Sequence, residues 1–371
     1  MPYEPEDLKR ANRCYLVGPF LSESRESARA SLQELGRLCA AAGLEAVAGE
    51  NVRLRTINPA LYLGTGQTDR IIERARDHEA ALIVFDVTLS PVHLRNWSRR
   101  AGMEVYDRHA VILEIFFRRA KTREAQLQVE LARARYTQSH LVGMWQHLSR
   151  QGGGSRLARG EGEKQIEVDR RRLARRVDRA KRDLKRVSRQ RLLRRRSRED
   201  LTRVALVGYT NAGKSSLLNA LTGSTVAAAD QLFASLDPTT RRLEWGDGPP
   251  ILISDTVGFV RRLPPDLVDA FHSTLEEIIE AQTVLIVLDA SDPERMQHLD
   301  TTIGILRDLG ADEIPKILVL NKIDRLTPEE RRTVAVIDTM DTGAPIIEVS
   351  ARSGAGIGTL RSTLLQQRGD H

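Results

Sequence analysis

Aromatic residues make up only 4% of this 371-residue chain, cysteine occurs twice, and no apolar run approaches the length of a bilayer span. Each shortage excludes a class of protein. A membrane-spanning helix needs ~18 or more consecutive apolar residues, so stable membrane insertion is not expected. Cys14 and Cys39 are too few for a disulfide framework or a thiolate metal site, and they read as two buried thiols of a cytoplasmic protein. The opening Met-Pro-Tyr-Glu-Pro-Glu-Asp lacks the basic and then apolar order of a secretion signal.

The basic excess belongs to one region. The net charge is +7, yet residues 152–200 alone hold 19 Lys/Arg against 8 Asp/Glu, which leaves the rest of the chain acidic on balance. Solvated helix faces ordinarily mix signs to form i, i+4 pairs. An uncompensated basic surface points instead to an external polyanion, phosphate backbone above all. The same stretch contains no aromatic residue, which argues against holding single strands by base stacking. Contact with the backbone and shape of structured nucleic acid is the expected mode, and a merely solvated coiled-coil exterior is the competing reading.

What is present divides into three segments of an α/β chain. Residues 1–110 alternate strands with helices, which argues for a mainly parallel sheet. Strands are expected over Arg13–Pro19, Leu44–Ala48, Ala80–Phe85 and 104–106. The intervening helices are expected over 23–42, capped by Ser22, over 67–78, and over 91–101, begun by Pro91. No catalytic constellation stands out there; His93 and His109 are isolated and read as surface or packing residues.

Residues 111–198 predict an antiparallel helical hairpin. One helix is expected from Val111 to about Arg150, with Leu127, Leu131 and Ala134 on one face, and a second over 164–198. A glycine-rich tip loop, 151–163, joins them. Leu173, Val177, Ala180, Leu184 and Val187 repeat with the 4, 3, 4, 3 spacing of a heptad seam. The arginines at 170–172, 175, 176, 179, 182, 186, 189, 191 and 194–196 cover the other faces. Residues 199–371 are expected to form a doubly wound, mostly parallel sheet domain.

That last segment opens on the most informative stretch of the chain. Val204–Val207 suits a buried strand, Gly208 to Ser215 fits G-x-x-x-x-G-K-[ST], and a helical pattern follows from Ser216. Strand, glycine turn and helix N-terminus together aim backbone N–H groups at an anion. Lys214 would meet the β- and γ-phosphates, and Ser215 would ligate Mg²⁺. Ser235, in Leu232-Phe233-Ala234-Ser235-Leu236-Asp237-Pro238-Thr239-Thr240, is the candidate switch hydroxyl completing the metal shell, with Thr239 and Thr240 competing for that role. Asp255-Thr256-Val257-Gly258 reads as D-x-x-G: the carboxylate holds Mg²⁺, and the Gly258 N–H senses the γ-phosphate. Asn321-Lys322-Ile323-Asp324 reads as N-K-x-D, whose Asp324 accepts from guanine N1 and N2. The Ala351 N–H, after Ser350 and before Arg352, would meet guanine O6.

These elements, in this order at predicted strand ends, predict a P-loop GTPase. Expected contacts to GTP or GDP are Gly208, Tyr209, Thr210, Asn211, Ala212, Gly213, Lys214, Ser215 and Ser216. The remaining contacts are Phe233, Ala234, Ser235, Leu236 and Asp237, then Asp255, Thr256, Val257 and Gly258, then Asn321, Lys322, Asp324, Ser350, Ala351 and Arg352. Lys214, Gly258 and Ser235 carry the catalytic assignment; Ser215, Ser235 and Asp255 carry the metal. The Asn211 side-chain carbonyl is a candidate ligand for K⁺, and a turn-stabilising asparagine is an equal alternative. Phe259 stands where many such enzymes have a water-orienting glutamine. One reading is a packing residue with water positioned elsewhere, the other is slow intrinsic turnover until a partner completes the site, and the two are compatible.

Nearly end to end, over about 10–366, the chain resembles the HflX family of ribosome-associated GTPases. The resemblance is carried by the phosphate loop, by 232–241, by Asp-Thr-Val-Gly-Phe at 255–259 and by Ser-Thr-Leu-Glu-Glu at 273–277. It extends to Gln128-Val129-Glu130-Leu131-Ala132 and to the glycine linker before Gln165. It implies binding to the large (50S) ribosomal subunit and its rRNA, splitting of stalled ribosomes, a hairpin tip that enters the peptidyl-transferase region, and GTP hydrolysis accompanying release. No obligate protein partner is implied. Phe259 matches the family's hydrophobic substitution. Two positions depart from the family pattern: Ser235 replaces threonine but keeps the hydroxyl, and the linker reads Arg159-Gly160-Glu161-Gly162-Glu163-Lys164-Gln165, without the family's proline. A GTPase of large-subunit assembly and a non-catalytic RNA-binding scaffold are the alternative functions.

Overall fold

The computed structural model describes residues 12–150, 168, 171–187, 201–224, 233, 239–244, 248–262, 272–338 and 343–366. The chain divides into two compact units: 1–118 with 126–185, and 119–125 with 186–371.

The first unit is built on a parallel sheet of β1 (Arg13–Phe20), β2 (Glu45–Arg53), β3 (Leu82–Phe85) and β4 (Glu104–Asp107), in the order β2-β1-β3-β4. β1 and β3 are the inner strands and are buried almost throughout, as near-continuous apolar runs of a parallel sheet should be. The helices are α1 (Arg25–Ala41), α2 (Thr65–Asp77), α3 (Pro91–Ala101) and α4 (Arg108–Arg119). α1 is capped by Ser24, not Ser22: the Ser24 hydroxyl accepts from the Ser27 N–H at 3.1 Å, so the helix starts later than expected. Ser90 caps α3, with Pro91 at its first position.

His93 and His109 are both buried packing residues. His93 Nε2 lies 3.1 Å from the Pro59 carbonyl, and the His109 ring meets Tyr136 edge-on. Cys14 and Cys39 are buried free thiols, and hydrogen bonding to Cys14 together with burial pushes the Cys39 thiol well up. The buried Arg108 pairs with Glu34 at 2.7 Å and Asp86 at 2.6 Å, while Ser31 donates to the second oxygen of Asp86. Removing one of these charges would strand the others, at a cost of about 3–5 kcal/mol.

The expected single helix from Val111 is two helices. α4 ends at Arg119 and α5 runs Arg123–Arg150. Thr122 explains the restart, since its Oγ1 accepts from the Ala125 N–H at 3.2 Å and so caps a new helix. The second arm, α6, is helical over 171–187. Val177 and Ala180 are buried against Leu131 and Ala134 of α5, with Leu184 at the margin, so the heptad seam is the contact between the arms. The tip loop 151–163, Arg170 and the arginines at 189, 191 and 194–196 lie outside the described residues.

The second unit carries a six-stranded sheet ordered β10-β9-β8-β5-β7-β6. Its strands are β5 (Arg203–Val207), β6 (Thr239–Leu243), β7 (Ile251–Asp255), β8 (Thr283–Asp289), β9 (Lys316–Asn321) and β10 (Ile346–Glu348). Only the edge strand β6 runs antiparallel. The helices are α7 (Lys214–Thr222), α8 (His272–Ile279), α9 (Arg295–Asp308), α10 (Pro328–Asp338) and α11 (Ile357–Gln366). Leu217, Leu218 and Leu221 of α7 pack with Leu206, Ile253, Leu285 and Leu360 in the main core. Each such side chain, fully buried, stabilises by about 1.5–3 kcal/mol. The strand order reverses direction at β5, between β7 and β8, where a doubly wound sheet opens its ligand crevice.

Candidate nucleotide-binding site

Four loops leave the C-terminal ends of β5, β7, β9 and β10. The one after β5 depends on glycine at two left-handed positions. A Cβ on Gly208 (φ +144°) would collide with the Val287 carbonyl, and one on Gly213 (φ +92°) with the Asn321 amide. Asn211, exposed, is also left-handed at φ +63°, as asparagine tolerates. Gly213 stands at the N-cap of α7, so Lys214, Ser215 and Ser216 form its first turn.

Lys214 is 5% exposed, and its Nζ donates to the carbonyls of Gly208 and Tyr209, each at 3.0 Å. Burial lowers its pKa to about 8, with the charge of Asp255 opposing the shift. Ser215 Oγ donates to Asp255 Oδ2 at 2.5 Å, and Asp255 has no exposed surface. Thr256 donates to the Leu206 carbonyl at 2.7 Å, which ties the loop after β7 to β5. Gly258 approaches so closely that a Cβ would lie 2.7 Å from Thr210 Cγ2 and 3.1 Å from Lys214 Nζ.

Phe259 is 1% exposed and forms a parallel bridge with Tyr209. The Phe259 N–H donates to the Gly208 carbonyl at 3.1 Å, and the Thr210 N–H to the Phe259 carbonyl at 2.8 Å. The packing reading of Phe259 is therefore the structural one.

The loop after β9 clamps the phosphate loop from the other side. Asn321 donates to the Ala212 carbonyl at 2.9 Å and accepts from the Ala351 N–H at 3.1 Å, so one buried amide joins three loops. Lys322, left-handed at φ +65°, reaches the Asn211 carbonyl at 2.6 Å and Asp289 at 2.7 Å. Asp324 is exposed, with one oxygen accepting from Ser350 Oγ at 2.6 Å. Arg352 is exposed. β10 ends at Glu348, two residues before Ser350.

The structure thus brings together the described residues of the phosphate loop, D-x-x-G, N-K-x-D and the Ser350-Ala351 turn. Ala234, Ser235, Leu236 and Asp237 lie outside the described residues, and Phe233 is buried. Thr240, a competitor of Ser235, is committed to β6: its hydroxyl pairs with Ser254 at 3.0 Å, and Ser254 donates to Glu277 at 3.2 Å. Thr239 sits in the same strand, opposite Asp255. Sequence reasoning missed Asp289, although its place at the C-terminal end of β8 is a signal under the same crevice rule. It also missed His298, whose ring stacks on Tyr209 and which no motif announces. Among the described residues no group of three or more His, Cys, Asp or Glu is placed to hold a metal ion.

Three family models match the chain in succession: a GTP-binding GTPase N-terminal region over residues 29–117, a GTP-binding GTPase middle region over 119–198, and a 50S ribosome-binding GTPase over 203–322. GTPase HflX of Magnetococcus marinus is 45% identical over 92% of this chain and 78% of its own length. The chain belongs to the HflX family of GTPases. The HflX proteins of Akkermansia muciniphila (44% identity, 98% of this chain and 85% of that one) and Escherichia coli (43%, 91% and 78%) are similarly close. A crystal structure of a complex of SsGBP and GDP aligns over 96% of this chain and 98% of that one with a TM-score of 0.50 and 24% identity, a likeness of fold. As an HflX GTPase the chain binds GTP and hydrolyses it. No helix among the described residues is long and apolar enough to cross a membrane.

Proposed function

We propose that this HflX GTPase binds the large ribosomal subunit in the cytoplasm through its helical hairpin and acts on stalled ribosomes, coupling release to GTP hydrolysis. One observation carries the reading. Arg175, Arg179, Arg182 and Arg186 repeat the seam spacing two residues further on, about 200° around the helix, and all four are exposed on α6. The charge therefore sits opposite the packed face, where rRNA phosphates could meet it. The match of 203–322 to a 50S ribosome-binding GTPase model supports the same partner. The three segments 1–110, 111–198 and 199–371 then serve as an α/β domain, a ribosome-reaching hairpin and the hydrolytic domain.

In the hydrolytic domain the phosphate loop, 208–216, holds the phosphates through its backbone N–H groups and Lys214. Gly258 offers its N–H to the γ-phosphate. Asp324 and Ala351 read the guanine, and Asn321 and Lys322 keep the loops in register. The Ser215 hydroxyl and Asp255 carboxylate form a hard-oxygen pair suited to Mg²⁺, an ion that takes few protein ligands and completes its shell with water and phosphate. Ser235 is the third expected ligand. When bound, Mg²⁺ neutralises charge developing on the phosphates. The left-handed backbone of Asn211 agrees with the turn-stabilising alternative, and its exposed side-chain carbonyl is the candidate K⁺ ligand.

Because Phe259 is buried and can neither donate nor accept through its side chain, intrinsic hydrolysis should be slow and a partner should supply the missing alignment. GTP turnover by the purified protein is expected to rise on the order of 10²-fold or more on adding large subunits, the scale of one restored transition-state contact. Fast turnover alone, with no gain from subunits, would refute the proposal. Preferential co-sedimentation with subunit precursors would move the function to assembly.

A further inference from the structure

Tyr209 is the second residue of the phosphate loop, a position whose side chain phosphate binding does not use. In such a loop the anion is held by main-chain N–H groups and the lysine. Here the side chain is buried and makes two specific contacts of its own. Its hydroxyl accepts from the Arg261 N–H at 2.7 Å. Its ring stacks on His298 of α9, with centroids 3.7 Å apart and planes 12° from parallel. Its main chain adds the bridge to Phe259. Arg261 is fastened in turn: its guanidinium pairs with Glu294 at 2.7 Å and reaches Gln297 at 3.4 Å, beside the first turn of α9. Residues 259 to 261 are thus tied to the phosphate loop at both ends, by backbone at Phe259 and by the tyrosine hydroxyl at Arg261. Gly258 lies immediately before that tied segment.

We infer that Tyr209 is a positioning residue that pins the D-x-x-G turn to the phosphate loop and so sets the Gly258 N–H in place before nucleotide arrives. His298 acts behind it, since the stacked imidazole fixes the ring and hence the hydroxyl. A contact set in advance spares the nucleotide the entropy of ordering the turn. The saving applies to the nucleotide that touches Gly258, which is GTP and not GDP. Tyr209 therefore contributes to choosing between the two nucleotides while touching neither terminal phosphate.

The inference rests on the reading of Gly258 as the γ-phosphate contact, so its test needs two arms. Affinities for GDP and for a non-hydrolysable GTP analogue would be measured by calorimetry on the full chain. Tyr209→Phe keeps the ring, the stack and the backbone bridge and removes only the hydroxyl. It is expected to weaken the analogue roughly three- to tenfold, the worth of one hydrogen bond, and to leave GDP affinity within about twofold. His298→Ala, which spares the hydroxyl but removes the stack, should shift the same ratio in the same direction. The underlying reading is tested on the unaltered chain, because a Cβ at Gly258 would crowd Thr210 and Lys214 and so disturb both nucleotides: the Gly258 amide resonance should shift on binding the analogue and stay in place with GDP. If that resonance is selective and Tyr209→Phe changes nothing, or weakens both nucleotides alike, Tyr209 is structural packing and the inference falls. If the Gly258 resonance responds equally to both nucleotides, the assignment of Gly258 itself fails and the inference fails with it.

Discussion

A lysine removed from water into a folded domain keeps its proton less firmly than an exposed one, and Lys214 shows the consequence. Its pKa lies at about 8, below the usual lysine value because burial penalises the ammonium, with Asp255 only partly restoring it. Between about pH 8 and the unfolded value near 10.4 the unfolded chain binds a proton that the folded, nucleotide-free protein does not. Lys214 thus makes the free protein gain stability as pH rises through that window. Nucleotide binding has the opposite sign. Phosphates favour the ammonium, so above pH 8 binding must take up a proton, and affinity should fall by up to about tenfold per pH unit. Calorimetry in two buffers of different ionisation enthalpy should detect nearly a full proton taken up at pH 9 and almost none at pH 7. Equal heats in both buffers at pH 9 would mean that the amine stays charged in the free protein.

The helices of the hairpin separate two tasks that their sequence interleaves. On α6 the residues at 177, 180 and 184 face α5, while 175, 179, 182 and 186 share the opposite side. Arg176 is already engaged by Glu130 of α5 at 2.8 Å, so it is a poorer candidate for an external phosphate. Replacing Arg175, Arg179 and Arg182 with glutamine should leave the seam and the thermal stability nearly unchanged, because exposed charges contribute little to folding. Binding to large subunits should weaken, and the salt dependence should flatten by at most about one log unit per lost phosphate contact, on the duplex-DNA scale. An unchanged slope would mean that the arginine stripe is only solvated.

At the scale of the molecule, affinity and action should be separable. The arginine stripe lies along the hairpin, whereas the proposed insertion into the ribosome belongs to the tip, whose residues 151–163 lie outside those described. The tip sequence is rich in glycine, a residue that accepts backbone conformations closed to others. Deleting Gly153–Glu161 should leave most subunit binding and its salt slope intact while abolishing ribosome splitting and most of the subunit-dependent gain in GTP turnover. Sedimentation profiles of ribosomes with GTP would read the first effect and phosphate release the second. A deletion that still splits ribosomes would place the action elsewhere.

Much of this was legible in the residues because local chemistry decides it. Glycine at 208 and 213, the buried run before them and Lys214 can satisfy their backbone geometry in few ways, so strand, turn and helix follow from the chain alone. The alternation of strands and helices likewise forces parallel sheets, and the heptad spacing chooses the face on which the hairpin closes. Helix ends were less legible. Ser22 and Ser24 offer the same hydroxyl, and nothing short of packing selects Ser24; nor does the composition around 120 announce that Thr122 will cap a second helix. The contacts of largest consequence for the site span the chain. Asn321 bonds residues 109 and 30 positions away, and Tyr209 meets its hydrogen-bond donor 52 positions on and its stacking partner further still. A sequence states which groups can form such bonds, but only the order of strands in the sheet determines which groups are brought within reach.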